Sequence, residues 1–270
     1  MKKTLSCSPE HALYLKRIKK KSAIVQIARA GLLVALLGIW ELVAGLQLVD
    51  PFIISSPSRI AVMIADLASD GTLFRHIGTT LWETLVGFVI AVVLGTGIAL
   101  LLWWSETVRR VLEPYIVVLN SLPKIALGPC IIIWFGSGSA SIVFMTILVA
   151  IIVVIMNMLS GFMATDKNKI LLLESMGATK FQMLTKLVIP SAIPQFIGML
   201  QICVGMAWIG SIMGEYIASK AGLGYLIVYG GQVMRLDLVM ASTFILCVLA
   251  AGMYAVVALA EKLLVKKESP

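Results

Sequence analysis

Few residues in this chain have the types and spacing that enzyme chemistry or metal binding requires. Its only histidines, His11 and His76, are too few and too far apart for a histidine-based metal site. Its four cysteines are scattered, and Cys130, Cys203 and Cys247 lie in apolar runs, where small buried side chains are typical. The sequence contains neither HExxH nor a phosphate-binding GxxxxGK[ST] pattern. We therefore expect no catalytic residue, no metal site, no cofactor and no ATP site in the chain itself.

Three ionisable residues interrupt apolar stretches, and such residues are functional candidates by default. Glu83 either faces the interior of a helix bundle or lies at an interface beside Arg75. Lys124 either lines a polar path with Asn120 or extends along a kinked helix to the membrane surface. Glu215 follows a small-residue packing motif and has a structural as well as a functional interpretation. The candidate pathway residues are Asn120, Lys124 and Glu215.

The composition places these residues in a membrane. Of the 270 residues, 60% are hydrophobic and only 13% are charged, against about 25% charged in soluble domains. The mean hydropathy is +0.99. A spanning helix needs roughly 20 apolar residues, so the chain has room for five to seven spans. The net charge of +8 does not indicate nucleic-acid binding, because the basic residues lie at the ends of the apolar segments.

Six apolar segments define the predicted architecture. They cover residues 23–46, 77–104, 111–135, 140–163, 193–218 and 238–265. Residues 58–69 form an amphipathic piece expected at the membrane interface. The predicted organisation is a basic cytoplasmic arm at 1–22, a transmembrane domain at 23–265 and a cytoplasmic tail at 266–270.

Prolines and small residues add detail to two of these segments. The third segment contains Pro114, Pro123 and Pro129, which predicts a broken helix that is buried in protein or lines a cavity. The second segment carries small residues at steps of four from Gly87 to Ala99, which predicts a close helix contact.

The distribution of Lys and Arg predicts the orientation. Seventeen of the 22 fall on one side of the predicted spans and four on the other, with Lys124 between them. Positive residues collect on the cytoplasmic side, so we expect both termini and the loop around residues 166–194 to be cytoplasmic.

The stretch from Asp166 to Pro194 is polar and charged between two apolar segments. Asp166 is a helix cap, and the residues from Ile170 to Phe181 follow at helical spacing, which predicts one short amphipathic helix that ends at Pro190 and Pro194. From the pattern alone this helix is either a docking site or a solvated loop.

This stretch resembles part of a known family motif. The step Gly177-Ala178-Thr179, followed by the run from Lys186 to Pro190, resembles the second half of the cytoplasmic EAA loop. That loop marks the membrane subunits of bacterial ATP-binding-cassette importers. The branch serving nitrate, sulfonate, taurine, bicarbonate and some vitamin precursors has further similar stretches, in the same order. They are residues 56–58, 76–88, 122–129, 134–138, 207–208, 214–215 and 221–224.

The resemblance implies an all-α integral membrane protein with about six transmembrane helices and the type I importer fold, in a bacterial inner membrane. It implies two permease copies, two ATPase subunits that bind ATP and Mg²⁺, and an extracytoplasmic binding protein. The loop at about 164–192 would be the coupling helix on which an ATPase docks. Its implied coupling residues are Leu171, Leu172, Leu173, Glu174, Gly177, Ala178 and Pro190. In this sequence three leucines, 171–173, stand where the family has Glu-Ala-Ala.

Two other functions are compatible with a polytopic membrane protein: an intramembrane enzyme, or a passive anchor for a complex. An enzyme would need converging polar groups at membrane depth, whereas the sequence offers isolated ones. A passive anchor would need neither a broken helix nor a charged loop between spans. For the transporter, a nitrate-, sulfonate- or taurine-like anion and a vitamin precursor such as a pyrimidine are both open as substrates.

Overall fold

A computed structural model of the protein describes residues 9–46 and 55–265, and these ranges contain helices and connecting turns without a β-strand. The α-helices are α1 Pro9–Gly45, α2 Pro57–Ser69, α3 Thr72–Trp104, α4 Glu106–Ser121, α5 Gly128–Phe135, α6 Ser139–Met163, α7 Lys167–Ser175, α8 Lys180–Met183, α9 Ile189–Ala218, α10 Leu223–Gln232 and α11 Leu236–Val265. A short 3₁₀-helix, Lys124–Leu127, precedes α5, and a π-helical turn, Leu184–Val188, precedes α9. The predicted tail at 266–270 and the first eight residues lie outside the described residues.

The chain divides into two compact units, the first ending at Val62 and the second beginning at Met63. In the first unit, α1 is tied to the start of α2 through the Glu41 carboxylate. This group accepts hydrogen bonds from the Ser58 N–H (3.0 Å) and from the Ser58 hydroxyl (2.7 Å). An amide in the first turn of a helix has no partner within the helix, and a carboxylate satisfies it favourably.

Helices α3 and α6 lie side by side at the centre of the second unit and run parallel. A Cβ added at Gly87 would lie 2.5 Å from the Thr146 side chain, and one added at Gly95 would lie 2.6 Å from Val154. The paired residue numbers rise together along both helices, which fixes the parallel direction. The predicted stripe of small residues on α3 is therefore confirmed as a helix contact.

Helix α9 also packs against α6, in the opposite direction. A Cβ at Gly210 would lie 2.7 Å from the Thr146 Cα, and one at Gly214 would lie 3.0 Å from the Ile142 Cα. Here the residue numbers on α9 rise as those on α6 fall, so the two helices are antiparallel. The two backbones approach so closely only because both positions lack a side chain.

Within residues 9–46 and 55–265, five helices are long and apolar enough to cross a membrane: Ile24–Gly45, Thr72–Trp104, Ser139–Met163, Lys180–Ala218 and Leu236–Lys262. The segments Glu106–Ser121 and Lys124–Phe135 are long and apolar enough to cross only when they are taken together. The bend between them is 85°. The break predicted for the third span is confirmed, and Pro123 stands at it, between α4 and the 3₁₀-helix.

The bent pair connects opposite ends of the bundle. Because α3 and α6 are parallel, the chain leaves α3 at one end and must enter α6 at the other. Residues 105–138 therefore return across the full length of the core, and the pair counts as one crossing. We call the two ends of the second unit the α7 end, where α3 and α6 finish, and the α10 end, where they begin.

The charged stretch at 166–194 differs from its prediction in two ways. It forms two short helices rather than one, because the chain turns sharply at Gly177 (φ 77°). The helix also does not end at Pro190 and Pro194, since both lie within α9. Proline is tolerated in the first turn of a helix, and at the preceding π-turn Ile189 N–H donates to the Leu184 carbonyl five residues back. The predicted fifth span, 193–218, therefore began too late.

Candidate functional site

The segment at the α7 end, residues 166–188, is built from well-capped short helices. The Asp166 carboxylate accepts a hydrogen bond from the Asn168 N–H (2.9 Å) and so starts α7. The Thr179 hydroxyl accepts from the Gln182 N–H (3.3 Å), while the Gln182 side chain accepts from the Thr179 N–H (2.8 Å). This reciprocal capping box fixes the start of α8. We call residues 166–188 the α7–α8 segment.

The turn between α7 and α8 is fixed by its backbone. The Gly177 N–H donates to the Glu174 carbonyl (2.9 Å), and the Ala178 N–H donates to the Leu173 carbonyl (2.9 Å). These two bonds, with Gly177 in the left-handed conformation, form a Schellman motif. The angle between the two short helices is therefore set by hydrogen bonds within the segment.

Large apolar side chains project from this otherwise polar segment. Leu171 is 60% exposed, Leu172 59%, Met176 74% and Phe181 63%. These residues lie on a segment that also carries four lysines. A group of exposed apolar side chains surrounded by polar residues is typical of a protein contact surface.

Lys180 joins the segment to the end of α3. Its Nζ donates to the Trp104 carbonyl (2.5 Å) and lies 5.9 Å and 5.7 Å from the ring centroids of Trp103 and Trp104. The last carbonyls of a helix lack intrahelical partners, and a positive charge there is favoured by the helix dipole. Lys180 therefore links α8 to the last turn of α3.

The other predicted coupling residues lie on the same segment or directly after it. Leu173 and Ala178 are half-buried, whereas Glu174 and Pro190 are exposed. None of the described contacts assigns these residues a role in coupling, so that role stays a prediction.

The predicted pathway residues fall into two groups. Lys124 Nζ donates to the Asn120 backbone carbonyl (3.1 Å), which brings these two side chains together at the bend after α4. Glu215 belongs to a different set of contacts: it is 1% exposed and accepts a hydrogen bond from the Gly224 N–H (2.6 Å). Its predicted role on a pathway stays a prediction. In the fold, Glu215 binds the start of α10.

At the α10 end, three consecutive amides at the start of α10 are each bound by a side chain from another helix. The Gly222 N–H donates to His76 Nδ1 (2.9 Å), and the Leu223 N–H donates to Thr80 Oγ1 (2.8 Å). The Gly224 N–H donates to the Glu215 carboxylate. These acceptors come from α3 and α9, so α10 is seated on both helices by its own N-terminal amides.

Glu83 lies next to Glu215 in this cluster. It is 1% exposed and interacts with the Ser139 and Glu215 side chains. This position bears out the interpretation that Glu83 faces the bundle interior, and Arg75 is exposed.

The roles of His76 and Thr80 were not predicted from the sequence. Both residues lie in the stretch 76–88, and their partners lie in 221–224, two of the stretches that carry the family resemblance. The signal was therefore present, but nothing in the sequence alone shows that residues about 140 positions apart are hydrogen-bonded to each other.

Comparison with known proteins identifies the class of this chain. A family model described as "Binding-protein-dependent transport system inner membrane component" matches residues 87–269. The chain belongs to this family. Its relatives in the family include the formylaminopyrimidine transport permease ThiX of Halalkalibacterium halodurans, 35% identical over 70% of this chain and 75% of the relative. The taurine transport permease TauC of Escherichia coli is 29% identical over 82% of each chain.

Solved structures of ATP-binding-cassette transporters contain chains with the same fold as this protein. A chain of an inward-facing MetNI methionine transporter matches with a TM-score of 0.64 and 18% identity, over 75% of this chain and 99% of that one. A chain of an amino acid ATP-binding-cassette transporter matches with a TM-score of 0.61 and 20% identity. The fold is that of type I importer permeases. The protein is thus a permease subunit of an ATP-binding-cassette importer and not an enzyme, and the alternatives of an intramembrane enzyme and a passive anchor are set aside.

Proposed function

We propose that this permease works as a pair of identical copies with two ATPase subunits that dock on the α7–α8 segment. The observation that carries this proposal is the group of exposed apolar side chains on that segment, Leu171, Leu172, Met176 and Phe181. ATP and Mg²⁺ would be bound by the ATPase subunits, since this chain has no phosphate-binding loop.

The three leucines at 171–173 suit an apolar docking surface. In the sequence they replace the Glu-Ala-Ala of the family motif, and two of the three are exposed. An ATPase with an apolar pocket at this place would cover them and gain roughly 25 cal/mol for each Å² removed from water. Glu174, Gly177, Ala178 and Pro190 would shape this contact rather than form its centre.

The α7 end would face the cytoplasm and the α10 end the opposite side of a bacterial inner membrane. The excess of Lys and Arg at the predicted cytoplasmic ends supports this orientation, and it puts both termini in the cytoplasm. An extracytoplasmic binding protein would then deliver its solute at the α10 end.

The solute proposed is a small polar molecule, either an anion of the sulfonate, taurine or nitrate type or a pyrimidine-like vitamin precursor. Relatives named for taurine and for formylaminopyrimidine support these two classes. Asn120 and Lys124, which lie together at the break after α4, are the residues we propose to line the pathway. Glu215 is the third predicted pathway residue, and we expect it to act there only if α10 moves.

Docking is tested by the double substitution Leu171→Ser and Leu172→Ser. Because the two side chains lose most of their apolar surface, we expect the ATPase to dissociate during purification and binding-protein-stimulated ATP hydrolysis to fall about tenfold or more. The measurement is co-purification of tagged permease with its ATPase, followed by hydrolysis assays in proteoliposomes.

The matched control is Leu171→Met with Leu172→Met. Methionine keeps the apolar surface and adapts to irregular pockets, so this variant should retain both the complex and the hydrolysis. Intact complex formation by the serine variant would contradict docking at these leucines. The solute class is decided separately, by the thermal shift of the cognate binding protein with taurine, alkanesulfonates, nitrate or pyrimidines.

A further inference from the structure

Two buried carboxyl groups lie side by side at the α10 end, and among the described residues neither has an ion-pair partner. Glu83 and Glu215 are each 1% exposed, and each has one oxygen without a hydrogen-bond partner, Oε2 of Glu83 and Oε1 of Glu215. The two side chains interact with each other directly. A buried polar atom without a partner costs free energy, so this pair of unsatisfied oxygens calls for an explanation.

The start of α10 compensates one negative charge and no more. Glu215 receives the Gly224 N–H at 2.6 Å, and a Cβ added at Gly222 would lie 2.4 Å from the Glu215 carboxyl carbon. Only a residue without a side chain lets the backbone of a helix N-terminus approach a carboxylate so closely. The Gly224 amide and the helix dipole favour the anionic form of Glu215, whereas its burial and the neighbouring Glu83 oppose that form.

No described backbone N–H donates to Glu83. Its described partners are the Ser139 side chain, at the start of α6, and Glu215 itself. Two adjacent carboxylates removed from water repel each other strongly, and a buried charge without a counter-charge is costly. One proton shared by the two carboxyl groups reduces both difficulties, because it removes one of the two charges and supplies a hydrogen bond between them.

The surrounding ionisable groups do not supply an alternative counter-charge. Helix α3 brings the half-buried His76, which already accepts the Gly222 N–H and is therefore neutral at that nitrogen. Helices α9 and α10 bring the hydroxyls of Tyr216 and Tyr225, and α6 has no titratable side chain. The basic residue Lys220 is exposed.

We propose that Glu83 and Glu215 hold one proton between them, and that this shared proton keeps the N-terminus of α10 seated on α3 and α9. The pair is a proton-binding site, since the two buried side chains interact directly and each has an oxygen without a hydrogen-bond partner. Loss of the proton would leave two adjacent anions, of which α10 compensates one, and the seat of α10 would loosen. If the orientation proposed above holds, this proton-dependent seat lies at the end that receives the binding protein.

The experiment is hydrogen–deuterium exchange of the peptide covering residues 219–232 in the purified full-length permease. Exchange is measured from neutral pH upward, where an imidazole such as that of His76 is largely unprotonated, and is corrected for the pH dependence of intrinsic exchange. In the unsubstituted protein we expect corrected exchange to rise about tenfold or more as the pair loses its proton, because hydrogen bonds to α10 amides are lost.

Glu83→Gln is the decisive variant. Its amide donates a hydrogen bond to Glu215 at every pH and carries no charge, so the peptide should stay protected across the range. Asp66→Asn is the matched control: it removes an exposed carboxyl at the start of the second unit and should keep the pH dependence of the unsubstituted protein.

Infrared spectroscopy of the same samples keeps the test decisive if a variant folds poorly. The unsubstituted protein at neutral pH should show a protonated-carboxyl C=O band that disappears at high pH, and Glu83→Gln should lack it. Corrected exchange that does not change with pH, the same pH dependence in Glu83→Gln, or no titrating band in the unsubstituted protein would each overturn the proposal.

Discussion

Gly177 fixes the geometry of the α7–α8 segment through its backbone rather than through contacts. Its φ is 77°, a conformation that side chains other than those of Gly and Asn rarely adopt. A Cβ at this position would meet nothing within 4 Å, so space is not what excludes a larger residue. The Schellman bonds from Gly177 and Ala178 depend on this one conformation.

Replacement of Gly177 by valine should therefore weaken coupling without blocking membrane insertion. A left-handed conformation costs a residue with an ordinary side chain roughly 1–2 kcal/mol, and it costs a β-branched residue more. The turn at residue 177 would therefore change conformation, and the angle between α7 and α8 would no longer be fixed. The expected result is ATP hydrolysis with reduced uptake, measured together in proteoliposomes. Gly177→Asn is the control, since asparagine tolerates this conformation and should transport normally. Normal transport by both variants would argue against a rigid turn.

Lys180 connects the α7–α8 segment to the long helix α3. It is bonded to the last carbonyl of α3 and lies near two tryptophan rings. An exposed cation–π contact and a charge at a helix C-terminus each contribute about 0.5–1 kcal/mol. Helix α3 also contacts α6 at Gly87 and Gly95, so Lys180 connects α8 to a helix of the bundle core.

Lys180→Met tests this connection between elements. The substitution keeps an unbranched side chain only one atom shorter but removes its charge, so the hydrogen bond to Trp104 is lost while α8 remains capped by Thr179. We expect uptake per ATP hydrolysed to fall about fivefold, in line with the loss of about 1 kcal/mol. Lys186→Met changes a second exposed lysine of the same segment and should have little effect. Equal effects of the two substitutions would indicate a general role of positive charge instead.

The sequence predicted those elements whose signal is local. Small residues predicted close helix contacts on α3 and, at Gly210 and Gly214, on α9. The structure confirms both contacts. The helix end predicted at Pro190 was wrong. Proline usually ends a helix, whereas here Pro190 follows a π-turn and lies in the first turn of α9. The hydrogen bonds that hold the start of α10 could not be predicted. His76 and Gly222 are far apart in the sequence, and only the packing of the helices brings them together.

At the scale of the whole molecule, the direction of two helices decides how the chain is threaded through the membrane. Helices α3 and α6 are parallel, so the bent segment between them must cross. A re-entrant loop in its place would put the start of α6 at the α7 end, and the contacts of Gly87 with Thr146 and of Gly95 with Val154 could not form together. The crossing follows from packing, while the side that faces the cytoplasm follows only from the distribution of charge.

Cysteine labelling tests both conclusions in one experiment. Single cysteines are introduced at exposed positions by Asp70→Cys and Ser137→Cys at the α10 end and by Ser175→Cys at the α7 end, in a variant whose four native cysteines are replaced by alanine. A membrane-impermeant maleimide should label the first two in spheroplasts and the third only in inverted vesicles, because Lys and Arg collect on the cytoplasmic side. Labelling of Ser137→Cys together with Ser175→Cys would show that residues 105–138 do not cross. Reversal of all three would keep the crossing and refute the orientation.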